Sequence, residues 1–258
     1  MLIDTHCHLD DPVYAGDLDA VLERAEAAGV RHVVTIGTDV SSSRRAVKLA
    51  SRRPGISAVV GIHPNESTQW TDEATVALEQ LAREPSVVAI GEVGLDYYRD
   101  HAPREVQQEA FRRALALARK TRQAIVIHCR EAWDDLFGIL REQGSPPIGG
   151  ILHCFSGGPA QRTTALDLGF TISFAGNVTF KNAEPLRDIA RQVPLDRMVL
   201  ETDAPYLTPH PHRGHRNEPA YVALTAQQVA VLKGVSVEDV GRVTSQTARA
   251  VFRLPDPA

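Results

Sequence analysis

Short runs of Val, Ile, Leu and Ala recur along the chain, near residues 2–6, 32–36, 57–62, 87–91, 124–128, 149–153, 170–174 and 197–202. Runs such as SVVAIG and AIVIH are apolar almost without interruption, the pattern of parallel strands covered on both faces. Between them the apolar positions take helical spacing, near 17–28, 42–52, 72–83, 105–121, 131–142, 159–168 and 183–192. Regular alternation of strand and helix predicts βαβ units and a parallel sheet. Eight units in 258 residues predict one domain, 1–258, folded as an α/β (β/α)8 TIM barrel. An eighth helix is expected near 218–233. An additional C-terminal helix, near 236–253, is expected to pack on the barrel exterior. Residues 203–219, DAPYLTPHPHRGHRNEP, hold too much proline for a helix and read as a long loop over the barrel mouth.

Polar residues of one chemical kind stand where these runs end. They are His6 and His8 in IDTHCHLD, Glu92 in AIGEVGLD, His128 in IVIHC, His153 in ILHCFSGG and Asp203 in VLETDAP. A barrel of this kind builds its pocket from side chains at the carboxyl ends of several strands. His6 and His8 are two apart and share a strand face, so both reach one cation. Asp203, ending the last strand beside the first, completes that shell. His128 and His153 hold a second cation, and Glu92 bridges the two. Two cations sharing a carboxylate suit hydrolysis, with one water activated and one leaving oxygen stabilised. Four imidazoles favour Zn, Mn, Co or Ni over Mg.

Composition narrows the setting. The net charge of −4 argues against a broad basic face that wraps duplex DNA. No apolar run reaches membrane-spanning length and the start MLIDTHCH is not a signal sequence, so a cytoplasmic protein is expected, monomeric by default. The three cysteines, Cys7, Cys129 and Cys154, each adjoin a candidate ligand histidine. Strand alternation then points all three away from the pocket, as packing residues beneath the helices.

The motifs IDTHCHLD, GIHPN, AIGEVGLDYY, VIHCREA, LHCFSGG, FAGNVTFK and LETDAPYLTPHPHRGHRNEP together resemble the TatD family of metal-dependent deoxyribonucleases, within the amidohydrolase-like superfamily. The likeness spans nearly the whole chain. It implies one cation on His6, His8, Glu92 and Asp203 and another on Glu92, His128 and His153, the same division that strand position suggests. The ions implied are Zn, Mn or Mg, the family being associated with magnesium. The substrate implied is DNA, single-stranded or at strand ends, cleaved as by an exonuclease.

Further residues are expected at the mouth. His63 in GIHPN reads either as a contact to the scissile phosphate and proton donor, or as a ring fixing the turn that follows. Glu201 reads either as orienting Asp203 or a ligand histidine, or as making a buried structural hydrogen bond. Tyr97, Arg130, Asn177, Lys181, Tyr206, Arg213 and Arg216 are candidate substrate contacts, Arg213 as a phosphate grip. His210, His212 and His215 form no expected metal site, and Trp70 and Trp133 are expected in packing. The alternative to phosphodiester hydrolysis is cleavage of an amide or ester, including deacylation of misacylated tRNA. A non-catalytic metal-binding module is a third reading, which a complete ligand set disfavours.

Overall fold

The structure is a computed structural model describing residues 1–99, 101–144 and 148–255. Its strands are β1 (Leu2–Cys7), β2 (Val30–Ile36), β3 (Ile56–Val60), β4 (Val87–Asp96), β5 (Ala124–Arg130), β6 (Gly150–Leu152), β7 (Thr171–Phe174) and β8 (Met198–Leu200). They form one parallel sheet in chain order. The helices are α1 (Leu18–Ala27), α2 (Val40–Ala50), α3 (Asp72–Leu81), α4 (Arg104–Thr121), α5 (Trp133–Gln143), α6 (Pro159–Asp167), α7 (Glu184–Gln192), α8 (Val222–Lys233) and α9 (Val237–Phe252). The expected barrel, with its additional C-terminal helix, is present. No single helix among the described residues is long and apolar enough to cross a membrane.

The seam between β8 and β1 decides where the site forms. Asp203 N–H donates to His6 O at 2.9 Å and His8 N–H to Ala204 O at 2.7 Å. Below them the buried Asp4 carboxylate accepts from Thr202 N–H at 2.9 Å and from Thr202 Oγ1 at 2.6 Å. These contacts draw the two ends of the sheet together and place Asp203 beside His6 and His8.

Two apolar layers flank the sheet. The larger lies between strands and helices and includes Cys7, Val60, Leu115, Ile127 and Phe174. The smaller holds Ile3, Val34, Ile36, Val59, Ala89, Val126, Ile151 and Val199. Val126 and Ile151 stand two residues before His128 and His153 and so share their face. The smaller layer is therefore the barrel interior.

Several element limits differ from expectation for local reasons. Helix α2 begins at Val40, because the Asp39 side chain accepts from Ser42 N–H and caps it. Helix α5 begins only at Trp133, after Glu131 with φ of 55°. Strand β4 runs on past Glu92 to Asp96, with a register irregularity between Ile90 and Val93. Helix α9 does more than lie on the exterior. Ala248 and Phe252, with Leu254 just beyond the helix, join the interior layer, and Gly241 sits so close that a Cβ would meet Met1 O at 2.8 Å. Its end plugs the barrel at the strand starts, opposite the site.

Candidate metal centre and active site

The six expected ligands converge at the strand ends, and Glu92 is their hub. Its two oxygens face opposite halves of the cluster. Oε2 lies 3.4 Å from His6 Nε2 and 4.0 Å from His8 Nε2. Oε1 lies 2.9 Å from His128 Nδ1 and 3.0 Å from His153 Nε2. Asp203 Oδ1 stands on the first side, 3.8 Å from His6 Nε2 and 3.6 Å from His8 Nε2. The glutamate is thus positioned to bridge two centres.

Anchors behind the rings decide which nitrogen faces inward. His8 Nδ1 lies 3.1 Å from Ile36 O, which can only accept, so that nitrogen carries the proton and Nε2 offers a lone pair inward. His153 Nδ1 is held by Glu201 Oε1 at 3.1 Å, and His128 Nε2 by Asp96 Oδ2 at 3.1 Å. A carboxylate behind an imidazole is the arrangement that orients metal-ligating histidines. His6 lacks such an anchor. It stacks on His153 with ring centroids 3.7 Å apart, and both its nitrogens are buried without a hydrogen-bond partner. Buried polar atoms normally find partners. A cation beside Nε2, which faces Glu92 and Asp203, would satisfy one of the two, so the donor set fits divalent metal.

The electrostatics follow from the same packing. Burial opposes charge on Glu92, but His153, His63 and His6 hold its carboxyl well below the usual range. Burial also opposes charge on His153, yet Glu201 and Glu92 carry it well above an ordinary imidazole. Burial pulls His8 down while Asp203 pulls it up further, to about 9. Without cations, these imidazoles take up protons in their place. His6, deeply buried and facing His153, is pushed down.

His63 fixes the turn that follows it. It begins a short 3-10 turn, Pro64–Gln69, and its Nδ1 accepts from Asn65 N–H at 3.1 Å. In the neutral ring the proton must then sit on Nε2, 3.5 Å from Glu92 Oε1. Burial pushes its pKa down to about 3. In that tautomer its inward nitrogen carries a proton, and the ring lies close enough to Glu92 and His128 to be grouped with them.

Above the cluster opens a cavity of about 920 Å³. Arg130, Asn177 and Tyr206 line it, as expected. Arg213 does not. Its guanidinium lies 3.9 Å over the Phe180 ring and donates to Thr208 O at 2.9 Å, so it staples its own loop. Arg216 likewise is held by Asp17 and Val13 O. Tyr97 donates its hydroxyl to Asp135 Oδ2 at 2.7 Å. The structure thus places these three outside the cavity lining: the arginines fasten a proline-rich loop, and Tyr97 reaches a neighbouring helix.

Other expectations divide. Cys7 and Cys129 pack in the outer layer, Cys129 also reaching the cavity lining. Cys154 departs from that pattern, lining the cavity with φ of 43° just beyond β6. Trp133 packs on Phe137 and Phe155, and Trp70 is buried. His212 stacks on Tyr221, and none of His210, His212 and His215 joins a metal-ligand cluster among the described residues. Sequence reasoning missed Asp96, Arg45 and Arg99, all of which line the cavity. Asp96 carried a signal, since residues 92, 94 and 96 share a face if the strand continues through VGLD.

A family profile described as TatD related DNase matches residues 3–253. The chain belongs to the TatD family. This TatD-family protein is 41% identical over 254 residues to a Bacillus subtilis protein named uncharacterized metal-dependent hydrolase YabD, covering 98% of this chain and 100% of that one. It is 36% identical over 260 residues to the 3′-5′ ssDNA/RNA exonuclease TatD of Erwinia billingiae, covering 98% and 100%. The crystal structure of YJJV, a TatD homologue from Escherichia coli, superposes with a TM-score of 0.93 at 31% identity, covering 98% of both chains. The protein is a metal-dependent hydrolase.

Proposed function

We propose that this TatD-family hydrolase cleaves phosphodiester bonds at an end of single-stranded nucleic acid, DNA foremost, with two divalent cations of the Zn, Mn or Mg type. The observation that carries the proposal is the division of Glu92, with one oxygen toward His6 and His8 and the other toward His128 and His153. His6, His8 and Asp203 would hold one cation and His128 and His153 the other, with Glu92 between. Two such cations supply Lewis acidity toward a phosphoryl oxygen and an acidified water.

The remaining work falls to the chain itself. Asp203 is the most solvent-accessible carboxylate of the ligand set, its side chain 16% exposed against 4% for Glu92. It takes the proton of the attacking water. His63, with Nε2–H directed inward, donates to the departing oxygen. Arg99 lines the cavity without an ion pair among the described residues and meets a phosphate. Arg130 and Tyr206 contact the substrate. A neutral amide or ester calls for no guanidinium at the mouth, so the free arginines favour phosphate. The exonuclease name borne by the Erwinia billingiae relative supports attack from a strand end.

The test is hydrolysis of end-labelled single-stranded DNA and RNA by metal-stripped protein re-supplied with Mg, Mn or Zn. A ladder shortening from one end, absent in Asp203→Ala, is expected. Intact oligonucleotide under every metal would overturn the proposal and turn attention to amide and ester substrates.

A further inference from the structure

Other arginines on this face, Arg99 apart, are occupied. Arg45 pairs with Asp10 at 3.0 Å, and Arg213 and Arg216 are fastened within and below their loop. Arg130 is different. It lines the cavity, no carboxylate among the described residues pairs with it, and its guanidinium lies over the Tyr98 ring at 3.7 Å. Tyr98 is 55% exposed, a large aromatic side chain left open to solvent. The turn that presents it is tied down, because Asp96 Oδ1 accepts from Tyr98 N–H at 3.0 Å and Arg99 N–H at 2.9 Å. Tyr98 and Arg130 therefore form a fixed π-surface reaching from solvent to the cavity.

The charge around the mouth is uneven. After β1, β2 and β3 it carries Asp10, Asp11, Asp39 and Glu66 against Arg45 alone. After β4 and β5 it carries Arg99, His101 and Arg130, with Asp96 turned to His128 behind them. A phosphate backbone is repelled by the first side and attracted by the second. We infer that the single strand approaches over the β4 and β5 loops, with a nucleobase next to the scissile bond stacked on the Tyr98–Arg130 pair. This deepens the nuclease reading and rests on it. Aromatic rings and guanidinium planes both accept stacked bases, with little regard to base identity. A duplex end, its bases already stacked and paired, gains nothing from the platform, so the pair selects unpaired ends.

Two labelled single strands test this, one ordinary and one abasic over its terminal three nucleotides, each cleaved by metal-loaded protein. The ratio of their kcat/KM values reads the stacking contribution alone. Wild type is expected to prefer the ordinary end by about fivefold to a hundredfold, the range for one stacked base. In Tyr98→Ala the ratio should fall toward one, and in Tyr98→Phe it should hold. Anisotropy of a fluorescent phosphorothioate strand should show the same order of affinities. An unchanged ratio in Tyr98→Ala, or no preference in wild type, overturns the platform while the nuclease reading stands. Failure of wild type to cleave either strand overturns the nuclease reading and the platform with it.

Discussion

Asp96 Oδ2 lies 3.1 Å from His128 Nε2, on the side of the ring away from Glu92. The contact fixes which nitrogen of His128 faces the metal centre. Burial opposes charge on Asp96, but His128 and the N–H groups of Arg99 and Tyr98 hold its carboxyl down to about 2. It is thus an anion across the working range. Asp96→Asn keeps an acceptor for the turn but loses the charge. Metal affinity, measured by calorimetric titration, is expected to fall about 10- to 100-fold, the usual cost of removing such a partner. Affinity within twofold of wild type would show that Asp96 does not orient His128.

Glu92→Gln should break the bridge and remove hydrolysis while circular dichroism stays unchanged. Wild type should gain about 2.7 kcal/mol from metal at a hundred times its dissociation constant. At about 2–4 °C per kcal/mol for a chain of this size, that is a rise in Tm of roughly 5–10 °C. Most of that rise should be missing in the variant. Near-normal turnover in Glu92→Gln would exclude a shared carboxylate.

His63→Ala separates donor from ligand. If Nε2–H serves proton donation, kcat falls by about 10²-fold or more and metal affinity stays as in wild type. A parallel loss of metal would instead make His63 a ligand.

Arg213→Ala should leave KM for oligonucleotides within twofold of wild type, because the guanidinium serves Phe180 and Thr208 rather than the cavity. The expected effect is on stability, about 1 kcal/mol from the lost cation–π contact and hydrogen bond. Thermal unfolding measures it. A tenfold rise in KM would return this arginine to the substrate.

His32 gives the fold a pH dependence far from the site. Burial, aided by the nearby Arg249 cation, lowers its pKa from 6.5 to about 4, and Nε2 lies 2.9 Å from Ser57 Oγ. The unfolded chain binds the proton more readily, so the stability from a neutral His32 is full above pH 6.5 and is lost as pH falls toward 4. Allowing for the ring's partial exposure, the contribution is about 1–2 kcal/mol. Chemical denaturation at pH 7 and pH 4.5 should show a smaller loss in His32→Gln than in wild type. Equal losses would assign the acid sensitivity elsewhere.

Much of the site is legible in the sequence because its grammar is local. An apolar run followed by His or Glu places that side chain at a strand end, and the two-residue period puts His6 with His8 and Glu201 with Asp203. Asp96 escapes such a reading because Gly91 and Gly94 interrupt the apolar run, so the pattern ends the strand five residues too early. The arginines mislead for a different reason. HPHRGHRNEP is crowded with positive charge, and nothing in its order distinguishes Arg213, turned onto Phe180, from Arg130, which lines the cavity without a carboxylate partner among the described residues.

The sequence by itself determined the chemical kinds of the candidate ligands, their order around the barrel and the face each occupies, since strand periodicity and parallel topology are properties of neighbours along the chain. The tertiary structure alone decided which nitrogen of each imidazole looks inward, how Glu92 divides its oxygens, and which guanidiniums stay unpaired. Those depend on contacts between distant segments, such as Asp96 behind His128 and Asp203 across the seam from His6. Charge and tautomer are settled by whatever partner packing brings within hydrogen-bond reach, and a linear pattern does not carry that distance.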